Sequence, residues 1–450
     1  MKFRSLALVL SLSTSLFSQS PHKVAIIGGG MSGISAAYHI HEIDPQASIT
    51  IFEKEKLLGG NAKTILTANA KKEFIQVDAG PQYFTEGPWD EYLKFLKANG
   101  VYDEKKTSEF VGSISIQNEG SKRPILITPL KGSFRGERLG KLLNLKKFFD
   151  ISHAVYNNPN SKHEKAIGSW VRDLDLDMDL EFKQQVVLPF LAASLGTTIS
   201  EIKQTSTADI VKLFAFRKPS SKSTYKVMHE GMGTLIQRIG KKLENKNVQI
   251  RCGSPVKGLS MQADGKSLVT YSQTDISKEE TFDFVVMAVH ADQAAKLVKE
   301  DVGLGQIYSV LKEFEYFKAR IVLHSDPSLV NNERPAFLNV LTTIDNQIAA
   351  NTMNLGMIDE GYEGIYKSWL TEELAMKLKI NGKFIHEEIF WHPLITPQFN
   401  QSLLKLNKLT DEIKGLCFAG GWSQGLETQE TAVVSGIKSA EKYRKFIVNE

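Results

Sequence analysis

Cysteine is nearly absent. Two thiols among 450 residues, Cys252 and Cys417, cannot frame a disulfide-stapled fold. Without a CxxC pair or a histidine-rich cluster they also make a poor zinc site. Both lie in apolar, strand-like runs, so buried and inert thiols are expected. No surplus of one charge exists either: 55 basic against 51 acidic side chains leave +4 at pH 7, which gives no reason to expect nucleic acid as a partner. Nor does any apolar run approach the roughly 20 residues that span a bilayer. What remains is an ordinary globular composition, 42% hydrophobic and 24% charged. At one domain per about 150 residues the chain has length for two or three.

One segment departs from that composition. Residues 1–20, MKFRSLALVLSLSTSLFSQS, set Lys2 and Arg4 ahead of an apolar, Leu- and Ser-rich stretch from Leu6 to Phe17, the layout of a secretory signal peptide. Ser18 and Ser20 suit a cleavage site and Pro21 does not. No Arg-Arg pair suggests export of a folded protein. The expected location is secreted or periplasmic/lumenal, and otherwise the protein is expected to be soluble.

The chemistry begins directly afterwards. Residues 23–40, KVAIIGGGMSGISAAYHI, pass from an apolar run of strand length into a turn, Gly28, Gly29, Gly30, Met31, Ser32 and Gly33, and then into a small-residue helical pattern. This is G-x-G-x-x-G spacing in the strand-to-helix context that dinucleotide binding requires. Gly28 permits the tight turn, Gly30 lets the backbone approach a pyrophosphate, and Gly33 lets the helix pack on the strand. The helix N-terminus then offers N–H groups to phosphate. A second strand, ASITIFEKE, reaches Glu53 and Lys54, with Glu53 about 20 residues past Gly33 and so placed to accept the ribose hydroxyls. A glycine turn without a nucleotide is the bland alternative, and the strand context with Glu53 argues against it.

Between NAD and FAD, the following residues decide. KEKLLGGNAKT puts Gly59 and Gly60 in a second glycine turn, followed by Asn61 and Ala62. Glu53 with this doublet resembles the E-x-x-x-x-x-G-G segment of the flavin-containing amine oxidase superfamily. Asn61-Ala62 is closer to the GGHA variant of predicted NAD/FAD-binding proteins of bacteria and plants than to the usual arginine. VDAGPQYF, residues 77–84, is similar to the family segment that reaches the flavin, which implicates Gly80, Pro81, Gln82 and Tyr83. The run to GSPVKGL is similar to the strand whose valine, here Val256, meets adenine through its backbone. FDFVVMAVHADQ resembles the returning strand and carries Ala288. GLCFAGGWSQGLETQETAVVSG resembles the closing FAD motif, with Gly420 and Gly421 ending a strand and Glu430, Thr431 and Ala432 opening the last helix. The resemblance implies FAD, held non-covalently, since no cysteine or histidine falls in an attachment motif.

The implied architecture is α/β: a Rossmann-like FAD-binding domain from 22–105, 225–295 and 395–450, with a discontinuous α+β substrate domain from 106–224 and 296–394. KARIVLHSDPSLV and WHPLITPQF in the second insertion look like the LHTD and HP segments of the bacterial and plant subgroup.

Catalysis is less legible. Amine oxidases generally carry a lysine that holds a water near flavin N5, and alignment puts Arg320 in that register, a departure that speaks against amine oxidation. His324 shares its strand alternation and is an acid/base candidate. Tyr83, Trp422, Glu427 and Glu430 lie in segments that the family folds beside the flavin, with Glu427 a third catalytic candidate. Hydride transfer needs little beyond orientation and exclusion of water, so a missing triad is no obstacle. DLDLDMDLE, residues 173–181, lacks the glycine and glutamate of a calcium loop, having Met178 and Gln184 there, and no metal is expected. Residues 122–149 interleave basic and apolar side chains, which fits either a solvated helix face or peripheral contact with an anionic membrane.

The expected activity is an FAD-dependent oxidoreductase taking hydride from a small hydrophobic or lipid-like substrate. The rivals are an isomerase or desaturase of unsaturated fatty acids, suggested by LPFLAASLG at 188–196, an amine oxidase, and a non-catalytic flavin- or membrane-binding protein.

Overall fold

The computed structural model describes residues 21–448 apart from 86, 122, 129–136, 159–163, 175–179, 217–223, 331–335, 344 and 346. The signal-like segment 1–20 therefore lies outside the described residues, as do much of the acidic run at 173–181 and residues 122 and 129–136 of the basic stretch at 122–149.

A five-stranded, all-parallel sheet organises the molecule. Its strands are β1 (Lys23–Ile27), β2 (Ser48–Phe52), β9 (Gln249–Arg251), β13 (Phe284–Met287) and β19 (Leu416–Phe418), in the spatial order β19-β13-β1-β2-β9. Strand direction reverses its progress at β1, which has β2 on one side and β13 on the other. Ligands of open α/β sheets bind in the crevice beyond the strand ends at such a switch point. β1 is apolar on both faces because both are covered. Val24 and Ile26 pack with Ile34 of the first helix (Met31–Ile43), Leu235 and Ile239 of the helix Met232–Glu244, and Val433 and Tyr443 of the C-terminal helix (Gln429–Val448). Ala25 and Ile27 face the other way, toward a three-stranded antiparallel sheet of β10 (Val256–Met261), β11 (Ser267–Gln273) and β12 (Ile276–Phe282).

The second large layer is a seven-stranded mixed sheet in the order β18-β14-β17-β16-β15-β6-β7. It joins β6 (Ile114–Asn118) and β7 (Leu126–Thr128) to β14 (Tyr316–His324), β15 (Leu338–Thr342), β16 (Ala349–Asn354), β17 (Tyr366–Trp369) and β18 (Phe384–Pro393). Two smaller pairs complete the strands: β3 (Thr64–Ala68) with β4 (Phe74–Asp78), and β5 (Thr107–Val111) with β8 (Thr224–Met228).

One expectation changes. Cys417 is buried in β19, but Cys252 is exposed, because β9 ends at Arg251 and the chain turns at Cys252-Gly253. In the basic stretch, the helix Glu137–Asn157 buries Phe148 and Val155 against Trp170 and Leu191, with Leu142, Leu145 and Phe149 half-buried beside them. Its apolar side is thus largely committed to the core. Among the described residues no helix is long and apolar enough to cross a membrane.

The first and last helices touch through Gly436, where an added Cβ would lie 2.5 Å from Ser35 Cβ and 2.6 Å from the Ala36 nitrogen. Overpacking such a contact costs about 1–3 kcal/mol. Gly436→Val should lower the thermal midpoint in a calorimetric scan, whereas an unchanged midpoint would mean that the two helices can part without cost.

Candidate functional site

The glycine turns form one cradle. Gly28, with φ of +112°, sits where a Cβ would lie 2.4 Å from the Ala288 carbonyl oxygen, and a Cβ on Gly33 would lie 2.0 Å from the Gly28 oxygen. Both glycines are required by packing. Gly30 differs: its nearest neighbour for an added Cβ is Gly60 Cα at 3.7 Å, so the space before it is open. The second turn crosses directly opposite, with Gly30 and Gly59 bridged and the Gly59 N–H donated to the Gly29 oxygen at 3.0 Å. A cradle of bare backbone on two sides suits a pyrophosphate.

Glu53 fastens these turns. Its Oε2 accepts the Gly29 N–H at 2.7 Å and its Oε1 accepts the Glu55 N–H at 2.8 Å. Each oxygen keeps lone-pair capacity for a ribose hydroxyl. Its backbone oxygen accepts the Ser254 N–H at 2.8 Å, which brings Val256 to the same edge. Lys54 points outward and pairs only loosely with Glu55, at 3.9 Å. Gly80 is glycine because a Cβ would strike the Asn61 oxygen at 1.8 Å, which locks the segment 80–83 against Asn61-Ala62.

At the C-terminal helix, Gly420 donates its N–H to Ser435 Oγ at 3.0 Å, and Gly421 packs on Glu427 and Thr431. The Thr431 and Ala432 amides, in the helix opening that resembles the closing FAD motif, are already bonded to Thr428 Oγ1 and Thr428 O. The amides that this helix start can offer are therefore those of Gln429 and Glu430. The Glu430 carboxylate turns away and caps the helix Asp90–Ala98, accepting Tyr92 N–H at 2.7 Å and Glu91 N–H at 3.2 Å. Gln429 Oε1 is buried and unbonded among the described residues, a polar atom consistent with a missing ligand.

The seven-stranded sheet presents its other functional face to this cradle. Register places Phe317, Ala319, Ile321 and Leu323 of β14 opposite His392, Phe390, Glu388 and His386 of β18, and Ile321 and Leu323 opposite Trp369 and Lys367 of β17. Directly paired residues share a face. Lys367, 2% exposed, donates to the Gly80 oxygen and lies 3.5 Å from Gln82 Oε1. Nearby Asp78 caps the helix Met232–Glu244 through Met232 N–H and takes the Thr64 hydroxyl at 2.6 Å. Burial pushes the Asp78 carboxyl up and the Lys367 ammonium down, and each charge partly restores the other. Lys63, next after Ala62, reaches Glu388 at 3.2 Å, and Glu388 also holds His386 at 2.9 Å. Glu427 sits between His290 and His392. Burial alone would raise its carboxyl, but the two imidazoles hold it at about 2. Burial works against the charge on His290, and the Glu427 carboxylate overcomes that to raise it above the ordinary value.

Arg320 and His324 do not join this face. Strand alternation sends them with Val322 to the opposite side, under the helix Glu372–Ile380. Arg320 is held by Glu387 and by Glu372. His324 is fully buried, its Nε2 2.7 Å from Ser368 Oγ and its Nδ1 accepting the Asp326 N–H. Burial pushes it to about 4, so it is a neutral structural histidine. Trp422 is wholly buried, donating to the Val289 oxygen at 2.9 Å. Tyr83 belongs to an aromatic box with Phe110, Tyr225 and Phe337. Lys367, His290 and His392 had no assigned role. The alternation Ile365-Lys367-Trp369 is the signal for an inward lysine, while His392 stood in a quoted segment without one.

The model of the family described as flavin containing amine oxidoreductase matches residues 31–316. The chain belongs to this family. FAD is its cofactor, in keeping with the cradle. Within the family, protoporphyrinogen oxidase of Dictyostelium discoideum is 26% identical over 189 residues, 40% of this chain but only 32% of that protein. Coproporphyrinogen III oxidase of Staphylococcus aureus (strain NCTC 8325 / PS 47) is 22% identical over 368 residues, 73% of each chain. The crystal structure of a CLA-producing fatty acid isomerase from P. acnes superposes with a TM-score of 0.65 at 13% identity, covering 95% of this chain and 99% of the other, and so shares the fold.

Because the space before Gly30 is open, Gly30→Val should leave apoprotein stability near wild type and abolish FAD binding, read by circular dichroism and flavin absorbance. Glu53→Gln, which keeps an acceptor oxygen but loses charge-assisted bonding, should cost FAD affinity only about 1–2 kcal/mol. Full flavin occupancy in the Gly30 variant would remove the cradle from consideration. Glu427, held below its unfolded value of about 4.3, contributes stability that is fully present above that pH and is lost as pH falls toward 2. Glu427→Gln should therefore flatten the acid limb of the thermal-midpoint profile over that window.

Proposed function

We propose that this flavoenzyme takes hydride from a small hydrophobic or lipid-like substrate, and that the segments 28–33, 53, 59–62, 80–83, 256, 420–421 and the start of the C-terminal helix hold FAD. The observation that carries the reading is the sheet face over the cradle, where buried Lys367 meets Gly80 and Gln82 and the same face continues along β14 and β18 through Ile321, Ala319 and Phe390. Bound FAD supplies the hydride acceptor. The chain's part is to bind and orient: the apolar residues of β14 and β18 exclude water, the aromatic box around Tyr83 offers a wall for an apolar substrate, and Lys367 places a proton donor beside the 80–83 segment. The leader-like residues 1–20 extend the reading to a secreted or periplasmic/lumenal protein.

Anaerobic mixing with linoleic acid, cyclohexylamine, protoporphyrinogen IX and coproporphyrinogen III tests it. Bleaching of the flavin supports hydride oxidation, with an aldehyde or imine product pointing to the amine. Net isomerisation of linoleate with the flavin left oxidised favours the isomerase, and no response to any probe favours a catalytically idle protein. Lys367→Met should retain the yellow colour and slow bleaching about 100-fold, the lower end of the range lost with a positioned proton donor. A wild-type rate would remove Lys367 from the site.

A further inference from the structure

A carboxylate clamped by two imidazoles lies outside the set of residues that could hold FAD. Glu427 Oε1 is 3.2 Å from His290 Nε2, and its Oε2 is 3.3 Å from His392 Nδ1. His290 follows β13 and precedes the helix Ala291–Val298, Glu427 precedes the C-terminal helix, and His392 lies near the end of β18. The cluster therefore stands where the parallel sheet meets the seven-stranded sheet. It packs on Gly421, which opens the short helical turn Gly421–Gln424 just after β19.

The contacts orient His392. An ionised carboxylate only accepts, so Nδ1 carries the proton and the neutral ring has its lone pair on Nε2. Among the described residues nothing bonds that Nε2, and the side chain is 28% exposed on the inner face, with Phe317 and Phe390 rings 5.8 and 6.2 Å away. His290 is fixed in turn: its ring stacks on Tyr316 at 4.9 Å, and the Tyr316 hydroxyl accepts the Ala291 N–H at 2.8 Å. Besides Glu427, the charged groups acting on His290 are Asp292 and Lys54.

We propose that Glu427, steadied by His290, positions His392 as the general base of this site, its Nε2 taking a proton from the substrate as hydride leaves. The inference rests on the hydride-oxidation reading and narrows its substrate class. The donor must carry an N–H or O–H on the heteroatom bonded to the carbon that gives up hydride, or conjugated to that carbon through a pyrrole ring. The C–H bond breaks with its electron pair going to the flavin, and the N–H or O–H bond breaks with its proton going to Nε2. The substrate is left with a C=N or C=O bond, and the new imidazolium charge is balanced by Glu427. A plain olefin offers no such proton.

Ring-nitrogen NMR of 15N-histidine-labelled, FAD-loaded protein gives a reading independent of turnover. His392 should be the Nδ1–H tautomer in the wild type and lose that preference in Glu427→Leu. His392→Asn, which keeps a donor toward Glu427 but lacks Nε2, and His392→Ala should both retain FAD. Both should slow anaerobic bleaching by cyclohexylamine or coproporphyrinogen III about 100-fold or more, and imidazole should partly restore the alanine variant. An Nε2–H tautomer, or wild-type bleaching by either variant, overturns the proposal. If neither probe bleaches the wild-type flavin, the oxidation reading fails for those probes, and the tautomer alone decides the placement of His392.

Discussion

Gly29 gives its backbone N–H to a buried carboxylate 24 positions later in the chain, and that bond to Glu53 ties the glycine turn to the end of β2. The same carboxylate orders the turn at Glu55, and the Glu53 carbonyl receives Ser254 from a third strand region. With the first turn pinned, the second can lie against it, and Asn61 can in turn receive Gly80 so closely that no side chain fits. The sheet face carrying Lys367 then has a fixed surface to meet. A buried ionised group is costly unless it is bonded, so Glu53 also specifies one arrangement of these loops.

The polar groups under the seven-stranded sheet follow the same logic with less security. Asp78 and Lys367 are both withdrawn from water, and each tolerates burial because the other is present and because backbone groups take the remaining bonds. Removing one partner of such a pair commonly costs more than the pair contributes. Conformational precision, in place of raw stability, is then what the pair supplies to the segment 80–83.

Elements built on short-range signals were legible in the sequence. The strand, glycine turn and helix at 23–43 follow from local sterics, and Glu53 follows from a fixed spacing. The chemistry over the cradle was not, because it depends on which way each residue of a strand points. Arg320 and Ala319 are neighbours in sequence on opposite faces, and the alignment that singled out Arg320 drew attention to it and His324 and away from Lys367 on the adjacent strand. The last helix shows a similar limit: its motif was recognisable, but Thr428 had already taken the Thr431 and Ala432 amides. His290, Glu427 and His392 come together only through tertiary structure, since no local pattern spans them.

The order of the parallel sheet also bears on how the molecule comes into being. β1 lies near the beginning of the described chain, yet β13, its neighbour, begins at Phe284, and the outer strand β19 ends at Phe418. During synthesis the first glycine turn leaves the ribosome long before its sheet can close. Non-local pairing of this kind is slow and leaves apolar strands such as β1 unpaired in the meantime. The nascent chain thus passes through a long interval in which Val24, Ala25, Ile26 and Ile27 have no strand on one side, and the first glycine turn waits for Ala288 before its packing is complete.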